Sequence, residues 1–250
     1  MIYLCIPSRD EGRTIGVLLW KIRQVMLELD RGYHILVLDD GSTDGTKELL
    51  AKYKRILPLT ILREERPVGY RRALERLLRE ATKRASYPKR DAIVTMQGDF
   101  TESPEHLKAL IKTYEGGADI VAGRLEEDIV SPPRRVQWAR RLGSMALRRS
   151  YSDSPVEDPL CGFRAYRAVV IKKALRAAGD RPLLSRDGWV ANAELMKLLA
   201  PFTRRIAEAP LGLRYDIRWR SSRVKLLSTI REIVRLAKVP LLEPEGVEAA

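Results

Sequence analysis

Through its first half the chain alternates two hydropathy patterns. Ile2–Pro7, His34–Leu38, Leu59–Leu62, Ala92–Met96 and Ala118–Ala122 are short runs that are mostly apolar. Between them, apolar residues recur at helical spacing. Short apolar runs predict strands buried on both faces, and the stretches between predict helices. The first helix should open at Asp10-Glu11 and run to about Leu29. Others should start near Thr46, span Pro67–Arg84, and start at Ser103-Pro104, with Ser103 as cap and Pro104 in the first turn. This alternation predicts an α/β fold with a mostly parallel central sheet flanked by helices.

The second half changes character. Pro132-Pro133 breaks the chain, and Arg134–Arg149 reads as an amphipathic helix. Trp138, Ala139, Leu142, Met145 and Ala146 share one face; Arg134, Arg140, Arg141 and Arg148 share another. An apolar stripe of this kind serves either core packing or a membrane surface. DPLCGFRAYR reads as a loop before a helix from Ala168. Helices are also expected at Trp189–Leu199 and Arg223–Lys238, followed by a frayed tail. The expected division is a main domain over 1–215, with the loop, amphipathic helix and tail of 216–250 packed on it as a C-terminal helical extension.

Composition narrows the function classes. A hydrophobic content of 45% excludes a disordered chain. The net charge of +13 calls for an acidic partner: nucleic acid, a phosphate-bearing substrate or an anionic membrane. Aromatics are sparse and no nucleic-acid-binding motif appears, so no nucleic-acid partner is expected. Cys5, Cys161, His34 and His106 are scattered, which gives neither a zinc pattern nor a disulfide framework and suits a reducing cytosol. No window reaches the ~18 apolar residues of a membrane span, and MIYLCIPSRDEGR lacks a basic leader, so it reads as a first strand.

The candidate chemistry lies at strand ends. VLDDGSTDGT delivers Asp39 and Asp40 to the end of a buried strand, with Asp44 beyond the Gly turn. Asp44 or Thr43 can cap the next helix, but capping does not explain the adjacent Asp39-Asp40 pair, which needs a cation or a donor-rich ligand. GSTDGTK fails the Walker A spacing, no GxGxxG is present, and two isolated histidines support no Ser-His-Asp triad. VTMQGDF ends a second strand in Asp99, with Gln97 where another carboxylate would make a stronger metal site.

IPSRDEGRTI, VLDDGSTDGT and MQGDFTESPE, at these intervals, resemble the family 2 glycosyltransferases. DPLCGFRAYR is similar to the corresponding segment of dolichyl-phosphate and polyprenyl-phosphate mannose or glucose synthases. The resemblance covers about Ile2 to Lys225 and implies a GT-A fold and an inverting hexosyltransferase. The implied donor is a nucleotide-diphosphate sugar, GDP-mannose or UDP-glucose, and the implied acceptor a polyprenyl phosphate. Pro7, Arg9 and Glu11 would cradle base and ribose, Asp39 would face the base, and Asp40 the ribose. Asp99, with Gln97 in place of the family's first Asp, would hold Mg²⁺ or Mn²⁺ against the diphosphate. Arg124, Arg164 and the segment containing Arg218, Ser222 and Arg223 would offset its charge, with Arg220 standing where relatives have Gly.

A hydroxyl acceptor would need a base, for which Asp158, Glu194 and Asp187 are candidates. A phosphate acceptor would not. Arg134, Arg135, Trp138 and Arg141 align with the helix at which such synthases meet the membrane, implying peripheral attachment to an anionic surface at the cytoplasmic face. A soluble or other lipid hydroxyl acceptor, and a non-catalytic nucleotide-sugar-binding protein, are the competing readings.

Overall fold

The computed structural model describes residues 1–126, 134–150, 156–214 and 226–237. One seven-stranded sheet forms the body: β1 (Ile2–Ser8), β2 (Tyr33–Asp40), β3 (Leu59–Glu64), β4 (Ala92–Thr95), β5 (Ile120–Leu125), β6 (Arg164–Arg167) and β7 (Ile206–Leu211), in the order β3-β2-β1-β4-β6-β5-β7. All pairings are parallel except those of β6, which lies antiparallel between β4 and β5. Successive strand side chains point to opposite faces. Leu4, Ile6, Ile35, Val37 and Val94 therefore enter one buried cluster, while Tyr3, Cys5, Leu36, Leu38 and Ile93 enter another. Helices cover both, which is why these strands read as unbroken apolar runs.

The helices are α1 (Ile15–Leu29), α2 (Thr46–Tyr53), α3 (Tyr70–Arg84), α4 (Leu107–Glu115), α5 (Arg134–Ser150), α6 (Ala168–Ala178), α7 (Trp189–Leu199) and α8 (Leu226–Ala237). Several starts differ from the sequence expectation. Asp10 has φ 51°, which a helix cannot accommodate, so α1 begins five residues later, at Ile15. Gly69, at φ 90°, likewise delays α3 to Tyr70. Ser103 makes no side-chain cap bond; a short 3₁₀ turn, Pro104–His106, leads into α4 instead. The end of DPLCGFRAYR is strand β6, not loop, and β7 was not anticipated.

α5 is two-faced, but not as its pattern suggested. Arg140 turns inward onto Asp158, whose Oδ2 accepts from Arg140 Nε at 3.0 Å and from Nη2. Asp158 Oδ1 accepts from Ser144 Oγ at 3.1 Å and Leu160 N at 3.0 Å. A Cβ on Gly143 would lie 2.7 Å from Ile233, so the bare backbone lets α8 approach α5 closely. Leu147, Leu160, Trp189, Ile233 and Leu236 join this minor core. Trp138, Leu142 and Met145 face outward, 63%, 48% and 56% exposed, so these three side chains of the stripe do not pack on the core.

Arg140 and Asp158 have side chains only 11% and 8% exposed. Arg140→Leu should therefore lower stability in urea by about 3–5 kcal/mol, because it strands a buried carboxylate. Arg140→Leu with Asp158→Leu should recover much of that loss; a single-variant cost below about 1 kcal/mol would show that water reaches the pair.

Candidate active site

The cavity opens at the carboxyl ends of β1, β2 and β4, where chain order reverses across the sheet. Ligands of open α/β sheets bind at such switch points. Its volume is about 700 Å³. One wall carries Pro7, Arg9, Glu11, Asp40, Gln97 and Asp99; the other is built from residues 185–190 and α8.

The acidic turn builds the first wall by clasping the β1–α1 loop. Asp10 N donates to Ser42 Oγ (2.8 Å), Glu11 N to Thr46 Oγ1 (2.9 Å) and Gly12 N to Asp44 Oδ2 (3.0 Å). Thr43 N donates to Asp10 Oδ1 at 2.9 Å. Asp44 also accepts from Thr46 N at 2.9 Å, so it serves the helix start and the clasp together. Gly41, at φ 65°, is obligatory: a Cβ would lie 2.9 Å from Pro67 N.

Asp40 accepts from Val68 N (2.6 Å) and Gly69 N (3.1 Å), fixing the loop that enters α3. Asp39 is fully buried and takes Ser42 N at 3.0 Å and Arg63 Nη1 at 2.6 Å; it is not among the residues lining the cavity. Asp99, 4% exposed, lines the cavity and accepts from Thr101 N at 3.1 Å. Phe100 beside it has φ 62°, an unusual conformation for a residue with a side chain, of the kind that concentrates at functional sites.

The remaining expected residues lie elsewhere. Arg164 is fully buried, donating to Asn192 O and Pro159 O at 2.6 Å each, and is not in the cavity wall. Arg124 is exposed at the end of β5, also outside the wall. Asp158 holds Arg140. Glu194 accepts from Ser185 N (2.9 Å), Arg186 N (2.8 Å) and Ser185 Oγ, and so positions the loop of the second wall. Asp187 lines the cavity and accepts from Arg71 N at 2.9 Å and Gly188 N at 2.8 Å. Arg141 is exposed on α5. Arg134 and Arg135 open that helix, their side chains outside the described set, and Arg218, Arg220, Ser222 and Arg223 lie outside the described residues.

Sequence reading missed Glu102, Arg63, Arg186 and Trp189. Glu102 is 2% exposed and accepts from Gln97 N at 2.7 Å and Gln97 Nε2 at 3.4 Å. Burial, aided by the Asp99 charge, pushes its carboxyl up to about 7 against the opposing Gln97 N–H donors and Arg140. Its bond draws the NH₂ end of Gln97 away, leaving the amide oxygen as the group Gln97 can offer a cation. The signal was there: an acid five residues after Gln97 in the same motif.

The donor set suits a hard divalent ion that relies on its substrate. Asp99 and Gln97 give one carboxylate and one amide, and Mg²⁺ sites commonly combine one or two carboxylates with substrate phosphates. Among the described residues no cluster of three or more His, Cys, Asp or Glu forms a self-sufficient metal site.

The family model for Glycosyl transferase family 2 matches residues 3–175 of the 250. The chain belongs to that family. Its central sheet, flanked by helices, has the GT-A fold. The undecaprenyl-phosphate 4-deoxy-4-formamido-L-arabinose transferase of Pseudomonas aeruginosa is 27% identical over 177 residues, 70% of this chain and 49% of the relative. That of Aeromonas hydrophila is 24% identical over 180 residues, again 70% of this chain and 51% of the relative. The chain thus spans about half the length of these curated relatives. Glucosyl-3-phosphoglycerate synthase from Mycobacterium tuberculosis, solved with Mn²⁺, UDP and glucosyl-3-phosphoglycerate, superposes with TM-score 0.61 at 20% identity, covering 95% of this chain and 77% of that one.

The raised Glu102 carboxyl binds its proton more tightly in the folded protein than in the unfolded chain. Its stabilising effect is full below the ordinary carboxyl range and is lost as pH rises through about 7. With chelator present, the Tm of Glu102→Gln should gain on wild type between pH 4.5 and 7 and level off above. A difference that does not change with pH would show that the Glu102 carboxyl binds its proton equally well in the folded and unfolded chain.

Proposed function

We propose that this chain moves a hexose, mannose or glucose, from a nucleotide-diphosphate sugar to a polyprenyl phosphate, with inversion at the anomeric carbon. The observation that carries this reading is the convergence of Asp40, Gln97 and Asp99 on one strand-end cavity. Pro7, Arg9 and Glu11, held by the clasp, would receive base and ribose, and Asp99 with the Gln97 oxygen would hold Mg²⁺ or Mn²⁺. Such an ion, when bound, offsets the charge that develops on the departing diphosphate.

Two features favour a phosphate acceptor over a hydroxyl. Asp158 and Glu194 are committed to hydrogen bonds within the protein and do not line the cavity, and Asp187, which does line it, accepts two main-chain N–H groups on Oδ1, from Arg71 and Gly188, so it too is engaged as an anchor. An acceptor that is already an anion needs no general base; it attacks the face opposite the leaving group, and no proton has to be removed. The relatives named for undecaprenyl phosphate lend support.

The same reading gives α5 its role. Among the described residues no helix is long and apolar enough to cross a membrane. Trp138, Leu142 and Met145 offer instead an exposed apolar stripe beside Arg141, the chemistry of a helix lying in an anionic lipid surface. Attachment would be peripheral, at the cytoplasmic face.

In a thermal-shift panel of GDP, UDP, ADP and CDP, one nucleotide should stabilise the protein in Mn²⁺ and much less in chelator, and Asp99→Ala should remove the metal-dependent part. No shift with any nucleotide would overturn the transferase reading. On anionic liposomes at low salt the chain should float, and Trp138→Glu with Leu142→Glu should keep it in the soluble fraction. Equal flotation of variant and wild type would detach α5 from the membrane.

A further inference from the structure

The second cavity wall contains an ion pair that the transfer reading does not use. Arg186, in the loop before α7, and Glu232, on α8, both line the cavity and are joined through Arg186 Nη1. The arginine is presented from a rigid base, since its N–H and that of Ser185 are both held by Glu194. Its fork is only partly used: among the described residues, Nη1 is the nitrogen with a hydrogen-bond partner. A guanidinium engaged through one nitrogen is poised for a ligand that takes two. Glu232 also has somewhere else to go. Its other oxygen accepts from Arg235 Nη1 at 2.6 Å on the same helix, and that arginine is half exposed. These two arginines hold the Glu232 carboxyl below its ordinary range, Arg186 most of all, so the pair is ionised at neutral pH.

We propose that Arg186 receives a phosphate monoester, the anionic head of the acceptor, and that Glu232 occupies it in the resting protein as an internal stand-in. The incoming phosphate displaces Glu232 from Nη1 and takes the paired Nη1 and Nη2 N–H groups at the end of the fork, while Glu232 turns to Arg235. A neutral acceptor cannot displace the carboxylate, so the pair also selects for charge. This assignment rests on the proposed transfer to a phosphate acceptor.

Phosphate chemistry at this wall could come from the donor diphosphate or from the acceptor, and titration calorimetry separates them. The probes are a short, water-soluble isoprenyl monophosphate, inorganic phosphate, and the stabilising nucleoside diphosphate with Mn²⁺. Arg186→Gln should weaken isoprenyl monophosphate about tenfold or more, with Arg186→Lys between it and wild type, while nucleoside diphosphate affinity stays within about twofold. Glu232→Gln should tighten isoprenyl monophosphate about three- to fivefold, the scale of a partly exposed ion pair. Inorganic phosphate should follow the same order more weakly. Loss of nucleoside diphosphate binding in Arg186→Gln would reassign the arginine to the donor, and unchanged or weaker monophosphate binding in Glu232→Gln would overturn the stand-in. Should wild type bind nucleoside diphosphate while these variants leave monophosphate binding flat, the Arg186 assignment falls alone. Absence of nucleoside diphosphate binding would instead remove the transfer reading beneath it.

Discussion

A carboxylate withdrawn from water must find hydrogen-bond donors, and this requirement shapes the cavity. The loops around it are tied down by acids that accept main-chain N–H groups. Asp40 holds Val68 and Gly69, Asp44 holds Gly12 and Thr46, Glu102 holds Gln97, and Glu194 holds Ser185 and Arg186. Loops carry unpaired main-chain groups that would otherwise need water, and each acid meets that need at a chosen point. The loops of the cavity are thereby fixed between the strand ends and helices that line the rest of it.

Such bonds also sort the acids by role. An oxygen that already accepts two N–H groups is poorly placed to take a proton from a substrate. Asp158 and Glu194, which sequence position offers as bases, are anchors in the folded chain. Asp99 differs by lining the cavity, next to a residue in an unusual backbone conformation. Glu102 stands behind Gln97 as a second carboxylate one bond removed.

α5 ties the outer surface to this interior. Its inward residues Arg140 and Ser144 grip Asp158, and the Arg140 guanidinium lies 5.7 Å from the ring centroid of Trp189, a cavity residue. Its outward residues form the exposed apolar stripe. One helix therefore carries an exposed apolar stripe on one side and supports the cavity wall on the other.

Local pattern was enough to read the first five strands, most of the helices and the family. Strands buried on both faces leave an unbroken apolar signature, and the Asp-Asp-Gly-Ser turn and Gln-Gly-Asp segment sit at strand ends that the alternation alone locates. β6 escaped because Arg164–Arg167 is only four residues long, begins and ends in arginine, and gains its pairing from strands distant in the chain. The Arg140–Asp158 bond escaped because helical periodicity counts every arginine as a surface charge, and one of them is neutralised by an acid eighteen residues on. The outward turn of Trp138 and the meeting of Arg186 with Glu232 are likewise set by how α8 packs against α5 and α7. Periodicity along a chain reports which side of an element is apolar; what that side meets is a property of three-dimensional packing, where residues far apart in sequence compete for the same donors and the same buried space.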